Sequence, residues 1–397
     1  VRNPASADSG GRRAADTLRA ARTLRVAIIS RVKRNPYVNL LCEGLRQPEL
    51  ALAPDVVDEF SLGWVWRNRR RVDVVHIHWP ELLFVYPGWA RSLKRWVSVM
   101  LGVLLVRLAG MRLVYTVHNL QQHEEQRPTL ARLGNGVLFA LAQGVHVHDQ
   151  DTADLLARRW HRRRGVRVIP HGNYAAVYPN TVTRDEAREK LDIAPGAFVY
   201  LFLGRIRPYK GVEELIAAFR AVPDPDAVLL IAGELHEPEY DQQIRELAGN
   251  DDRIRLHLRF VAEDALQVYF NSCDVVVLPY RHVTTSGAAF LAFTFGAPIV
   301  APALGSFLAL AGPAEERGIL YDGDSAGGLA TALSLVRERD SRGRDPRGRD
   351  LAEMRRACAA YIEQLDWRVI ARQHAALYRG DAVRGVASGV HHQDKEG

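Results

Sequence analysis

Short apolar runs of β type recur along this chain with helix-length segments between them, and they come in two series. The first is LRVAIIS (24–30), VDVVHIH (72–78), RLVYTVH (112–118), GVHVH (144–148) and VRVIP (166–170). The pattern pauses at about 175–195. It restarts with FVYLFLG (198–204), AVLLIAG (227–233), RIRLHLRFV (253–261), CDVVVLP (273–279), APIVA (297–301) and GILYD (317–321). Strands alternating with helices build βαβ units and parallel sheets. The expected fold is therefore α/β, with two Rossmann-like parallel-sheet domains in tandem.

The expected division is a tail over 1–23, a first domain over 24–178, a linker with a short helix over 179–195 and a second domain over 196–360. A helix over 361–380 is placed to cross back to the first domain, and 381–397 form a second tail. A length of 397 residues suits two or three domains. Open α/β sheets bind ligands beyond the C-terminal ends of their strands, so strand-end residues carry most of the functional information.

Fifty-three basic residues against 46 acidic ones leave a formal charge of +7. Only five of the basic residues are lysine: Lys33, Lys94, Lys190, Lys210 and Lys395. That arginine excess reads as the coding bias of a GC-rich bacterial genome. Basicity also favours anionic partners. Cys42, Cys273 and Cys358 are too far apart for a zinc spacing and odd in number, so they are expected to pack as small apolar residues. Residues 1–23 lack an apolar core of signal-peptide type. The apolar stretch 96–111 is interrupted by Ser98 and Arg107, too short and broken for a span. The expected location is the cytoplasm, peripheral at the inner face of the cell membrane.

The strongest strand-end signal is FLGRIRPYKGVEELIAAF (202–219). A strand ends at Gly204, Arg205 and Lys210 follow, and Gly211 opens an amphipathic helix. The glycine turn lets a phosphate approach the backbone. Arg205 can fork two phosphate oxygens, Lys210 adds a compact charge, and the helix start adds free N–H groups. The second signal is LPYRHVTTSGAAFLAFTFGAPIVAP (278–302), where Thr284, Thr285, Ser286 and Gly287 precede an apolar helix. Thr285 or Ser286 is a natural N-cap, and the same helix start suits a diphosphate. Glu234 follows a third strand end as a lesser donor-side candidate.

This pair of segments resembles the C-terminal domain of GT-B glycosyltransferases, most like glycosyltransferase family 4. The G-R-x-x-x-x-K-G segment of that family is matched by Gly204, Arg205, Lys210 and Gly211, and its A-x-G-x-P-V-V-A run by TFGAPIVA (294–301). In the first half, VDVVHIH (72–78), TVHN (116–119) and IPHG (169–172) match further motifs in order. The resemblance spans about residues 24–375. It implies a sugar transferase whose second domain binds a nucleoside-diphosphate sugar, UDP- or GDP-linked, with Arg205 and Lys210 on the diphosphate. It implies an acceptor on the first domain: a growing glycan, a polyprenyl-linked sugar or a small molecule.

By the same resemblance His118 sits over the transferred sugar, Asn119 beside it, and Asn35 and Tyr37 contact nucleotide sugar or acceptor. Trp79 is a stacking candidate, while Glu81 and His171 are acceptor-side polar candidates. The family's E-x7-E glutamates are missing: Val283 and Leu291 stand near their places. Thr284, Thr285 and Ser286 replace that chemistry, which puts ribose recognition and retention of configuration in question.

No DxD-type metal motif is evident, so catalysis is expected to be electrostatic, with no metal and no cofactor beyond the sugar nucleotide. The segment 86–110 mixes Trp89, Trp96, Arg91, Lys94 and Arg95 with apolar residues, and arginine runs stand at 67–71 and 161–164. These point to an anionic membrane surface as a further partner. Two other classes were weighed. A GT-B sugar-nucleotide epimerase needs an acid–base pair that the sequence does not offer. A basic nucleic-acid-binding protein needs a recognisable module, and none is present, so nucleic acid is not an expected partner.

Overall fold

The computed structural model describes residues 23–32, 35–118, 127–341 and 350–381. It contains two six-stranded parallel sheets, each flanked by helices on both faces.

The first sheet has the order β2-β1-β3-β4-β5-β6, with β1 Leu24–Ile29, β2 Leu52–Val57, β3 Val74–His78, β4 Arg112–Thr116, β5 Gly144–Val147 and β6 Val166–Val168. Its helices are α1 Tyr37–Leu45, α2 Leu62–Asn68, α3 Trp89–Leu108, α4 Pro128–Leu141 and α5 Gln150–Trp160. β2 was not among the sequence runs. It carries Pro54 and half-exposed residues, a composition that a sheet edge tolerates and an interior strand does not.

The second sheet has the order β12-β11-β10-β7-β8-β9, with β7 Val199–Leu203, β8 Val228–Ala232, β9 Ile254–His257, β10 Val275–Val277, β11 Ile299–Pro302 and β12 Gly318–Tyr321. Between β6 and β7 lies α6 Arg184–Lys190. The helices of the second half are α7 Val212–Arg220, α8 Pro238–Ala248, α9 Leu266–Ser272, α10 Gly287–Thr294, α11 Ser306–Ala311, α12 Gly328–Ser341, α13 Leu351–Glu363 and α14 Trp367–Arg379. β7, β8 and β10 are buried along their whole length, as central parallel strands must be when helices cover both faces.

The segment 179–195 is tied to the second sheet. Thr183 caps α6 in a reciprocal capping box with Glu186, and Arg184 and Arg188 both pair with Asp274 at the start of β10. The helical pattern of 351–380 divides into α13 and α14, because the Asp366 side chain accepts the Arg368 N–H and starts a new helix.

α14 packs against α1 on the first sheet, although it follows the second domain in sequence. Its Trp367 indole donates to Asn173 O at 2.6 Å, and the Asn173 amide donates to Ile362 O at 3.0 Å. One apolar cluster consequently runs from Val26 and Ile28 of β1 through α1 and α14 to the second sheet. A separate cluster fills the other face of the first sheet, under α2, α3 and α4.

Candidate active site at the facing strand ends

In each sheet the strand order reverses once, between β1 and β3 and between β7 and β10. Loops after these strands diverge and leave a crevice. The strand-end candidates gather at these two places, with different chemistry at each.

At the second sheet, Gly204 ends β7 and Gly211 precedes α7 with φ +64°. A Cβ at Gly211 would collide with the carbonyl of Pro279, so the loops after β7 and β10 meet through backbone alone. Arg281 N–H donates to Tyr209 O at 2.9 Å, and its guanidinium pairs with Glu213 and Glu214 of α7. Together these contacts hold Lys210 and the Thr284–Gly287 turn on one wall. The Lys210 ammonium stands beside Gly204 and 5.1 Å from the Tyr280 ring centroid.

Burial, then Arg205 and Arg207, push Lys210 down to about 8. Arg207 is neutralised by Glu237. Arg205 and Lys210 have no carboxylate partner among the described residues. Ser286 caps α10, its Oγ accepting the Ala289 N–H at 3.3 Å, while the Thr285 Oγ1 is buried without a partner. Glu234 lies past β8, its carboxylate 3.3 Å from the His236 ring. The wall therefore presents two unneutralised cations, a free hydroxyl and a helix N-terminus. That set suits an anion with several oxygens.

The first sheet ends differently. Period-two alternation places His76, His78, Thr116, His118, His146 and His148 on one face, and α14 adds His374. Their contacts form one chain. The neutral ring of His146 must donate from Nε2, because its partner at 2.7 Å is the carbonyl of Ile169, which can only accept. His146 Nδ1 is then an acceptor and takes the Thr116 hydroxyl at 2.9 Å. Thr116 Oγ1 in turn accepts from His76 Nε2 at 2.6 Å.

His76 Nδ1 accepts from the Tyr378 hydroxyl at 2.8 Å, and His78 Nε2 lies 3.3 Å from the same nitrogen. His78 Nδ1 pairs with His118 Nε2 at 2.9 Å, and His118 Nδ1 lies 3.4 Å from His148 Nε2. One acceptor-only carbonyl thus assigns the tautomers of His146 and His76, and the line of contacts ends at His148 Nδ1, buried and unpartnered. His374 Nε2 lies 3.2 Å from His146 Nδ1 and, with its one N–H at Nδ1 given to Ile370 O, has no proton to offer there. Burial keeps all six rings neutral. It pushes His78 down to about 3 and His374 to about 4, and the other four are also lowered.

His118 therefore has both ring nitrogens engaged inside the first domain. Trp79 stacks on its face, with centroids 3.8 Å apart. The Trp79 backbone is left-handed at φ +45°, and this turn lays the indole over the network. Tyr37 is fully buried at the centre of His78, Trp79, His118, His148, His171 and Trp367. It is a packing centre with an unpartnered hydroxyl, away from open solvent. Asn35 turns its side chain onto the Tyr37 N–H at 2.9 Å and starts α1. His171 stacks on Phe290 of α10, joining the two halves, and donates to Gly172 O. Glu81 lies half-buried in the turn after β3. Asn119 lies outside the described residues.

His76, His78, His146, His148 and His374 were not singled out from sequence. The signal was the repeated H-x-H or T-x-H at three neighbouring strand ends. Among the described residues, no group of three or more His, Cys, Asp or Glu side chains is arranged to hold a metal ion.

Comparison with known proteins agrees with this architecture. The family described as Glycosyl transferases group 1 matches residues 183–354. The chain is 30% identical to a GDP-mannose:glycolipid 4-beta-D-mannosyltransferase of Xanthomonas campestris, over 91% of this chain and 94% of that one. It is 27% identical to a D-inositol 3-phosphate glycosyltransferase of Pseudarthrobacter chlorophenolicus, over 75% of this chain and 68% of that one. The fold is shared with sucrose-phosphate synthase of Thermosynechococcus elongatus (TM-score 0.69, 20% identity, 90% and 98% of the two chains). It is also shared with HepE of Anabaena in complex with UDP-glucose (TM-score 0.66, 18% identity, 89% and 98%). These matches favour neither the epimerase nor the nucleic-acid reading. Full-length similarity to a glycosyltransferase, together with two facing parallel-sheet domains, places this chain in the group 1 glycosyl transferase family, as a GT-B enzyme of the transferase class.

Proposed function

We propose that the protein transfers a mannosyl residue from GDP-mannose to a lipid-linked sugar, with inversion at the anomeric carbon. The observation that carries the donor half is the pair Arg205 and Lys210, held at the switch point of the second sheet with no carboxylate partner among the described residues. As the C1–O bond breaks, negative charge grows on the leaving diphosphate. Two preorganised cations and the Ser286–Gly287 helix start meet that charge, and no metal ion is called on. The acceptor oxygen forms the new bond from the opposite side, and its proton leaves to a base.

The mannosyl donor, the glycolipid acceptor and inversion follow the Xanthomonas relative, whose name specifies a β-linked product from GDP-mannose. Hydrophobic residues where glutamates are usual agree with a departure from retaining chemistry: Val283 and Leu291 hold those places. Metal independence and the roles of individual site residues belong to this same reading.

A thermal-shift titration with GDP, UDP, ADP and dTDP tests the donor. GDP alone is expected to raise the melting midpoint, because a ligand that binds only the native state stabilises it by mass action. Incubation with GDP-mannose and a lipid-linked oligosaccharide, followed by NMR of the product, tests the rest. A shift with UDP alone, or an α-linked product, overturns it.

A further inference from the structure

α3 is apolar on two sides. Val99, Val103 and Val106 face the sheet, while Trp89, Val97, Leu101, Leu104 and Leu108 form a stripe on the opposite side, with Trp89 59% and Leu108 75% exposed. The stripe continues sideways onto neighbouring helices through Trp66 of α2, 57% exposed, and Leu133 of α4. α2 comes close because Gly102 leaves room for the backbone at Ser61 and Leu62. Exposed apolar surface of this extent marks an interaction face.

The three helices carry charges of one sign. α2, α3 and α4 contain no Asp or Glu, and they carry Arg67, Arg91, Lys94, Arg95, Arg107 and Arg132. Arg69 lies over the Trp66 ring at 3.8 Å. α3 runs opposite to the strands, so its first turn is at the sheet end where the site lies. There Arg31, Arg91 and Arg95 surround the ring of Tyr86 at 5.5, 4.7 and 5.9 Å and line a pocket of ≈ 330 Å³. Asp58 and Glu59 complete its wall. Glu59 lies 3.9 Å from Arg67, and Asp58 has a partner of its own. None of the three arginines pairs with a described carboxylate.

No described helix is long and apolar enough to cross a membrane. We infer that the outer face of α2, α3 and α4 docks in the plane of an anionic lipid bilayer, with the α3 stripe at the acyl boundary and Arg31, Arg91 and Arg95 on a lipid phosphate beside the cleft. Charge complementarity selects this occupant: a cationic rim around an apolar stripe matches anionic headgroups over acyl chains. Docking in this orientation brings a lipid-borne acceptor to the cleft mouth. That use rests on the transferase reading; the docking itself does not.

Sedimentation with phosphatidylcholine vesicles, alone or mixed with phosphatidylglycerol, is the test. The parent protein is expected to bind the mixed vesicles, and to release them as salt rises. The exposed double variant Leu101→Glu/Leu104→Glu is expected to bind about tenfold more weakly or worse, and Arg91→Gln roughly fivefold more weakly. Melting midpoints and the GDP-induced shift are expected to be unchanged in both variants, since neither touches the core or the donor wall.

Equal binding to neutral and anionic vesicles overturns the inference, as does full binding by the double glutamate variant. Concentration-dependent dimers without lipid, lost in that variant, overturn it in favour of a second copy. A GDP shift without vesicle binding rejects the docking and leaves the transferase reading standing; vesicle binding without a GDP shift does the reverse.

Discussion

The strand ends of the two sheets face each other, yet they handle polarity in opposite ways. The first sheet buries six neutral imidazoles, five of them in one line of contacts from His148 to the Ile169 carbonyl. The second sheet holds two cations, Arg205 and Lys210, with no carboxylate among the described residues to match them. A buried network that finds most of its partners within itself rigidifies the strand ends, whereas uncompensated charge at a strand end is stabilised by a ligand of opposite sign. On the proposed reading, one side of the cleft supplies structural preorganisation and the other charge stabilisation.

The largest expected effect breaks the cationic side. Lys210→Ala is expected to lower kcat/KM about a thousandfold, the usual loss when one preorganised group facing developing charge is removed. It should also abolish the GDP thermal shift while leaving the midpoint of the free protein little changed. The pH dependence has a definite sign. With the ammonium at about 8, kcat/KM falls as pH rises through that value, because the free enzyme loses the charge that binds the diphosphate.

Breaking the imidazole side should cost stability instead. His146→Ala leaves the Thr116 hydroxyl and the Ile169 carbonyl short of a partner, a loss of about 3 kcal/mol measured by denaturant titration. Acid acts on the whole network. These histidines have folded-state values below 6.5, so the unfolded chain binds protons first. Their contribution is present above about 6.5 and is lost as pH falls. The midpoint in differential scanning calorimetry is expected to drop steadily from pH 7 to pH 5 in the parent.

Two smaller changes sharpen the contrast. Gly211→Ala forces a side chain into a left-handed position against the Pro279 carbonyl, a loss of about 2 kcal/mol. Because Lys210 is its neighbour, the donor KM should rise as well, which circular dichroism melts and kinetics read separately. Ser286→Ala removes the α10 cap, worth about 1 kcal/mol, and should raise the donor KM only modestly, since the α10 backbone N–H groups remain.

The residues of the proposed donor wall were largely legible in the sequence as one local segment. Gly204, Arg205, Lys210 and Gly211 lie within eight residues, and a strand–turn–helix segment of that length folds as one unit. The Ser286 cap is equally local. Less could be read at the first sheet. His118 and His171 stood out at strand ends, but His76 and His78 belong to β3 and His146 and His148 to the end of β5, with β4 between them. Only the strand order puts those strands side by side. β2 was missed because Pro54 and exposed residues weaken its pattern at a sheet edge.

The alternation of apolar runs with helical segments determined two parallel-sheet domains, because hydrophobic periodicity is a local property of the chain. The same local chemistry placed a cationic loop after β7. Only the tertiary structure decided that Arg205 and Lys210 meet no carboxylate among the described residues, since one could have come from any part of the chain. It also decided that Tyr37, Trp79 and His118 pack together. α14 returns from the end of the chain to give His374 and Tyr378 to the first sheet, a contact more than 200 residues apart in sequence that no short-range pattern encodes.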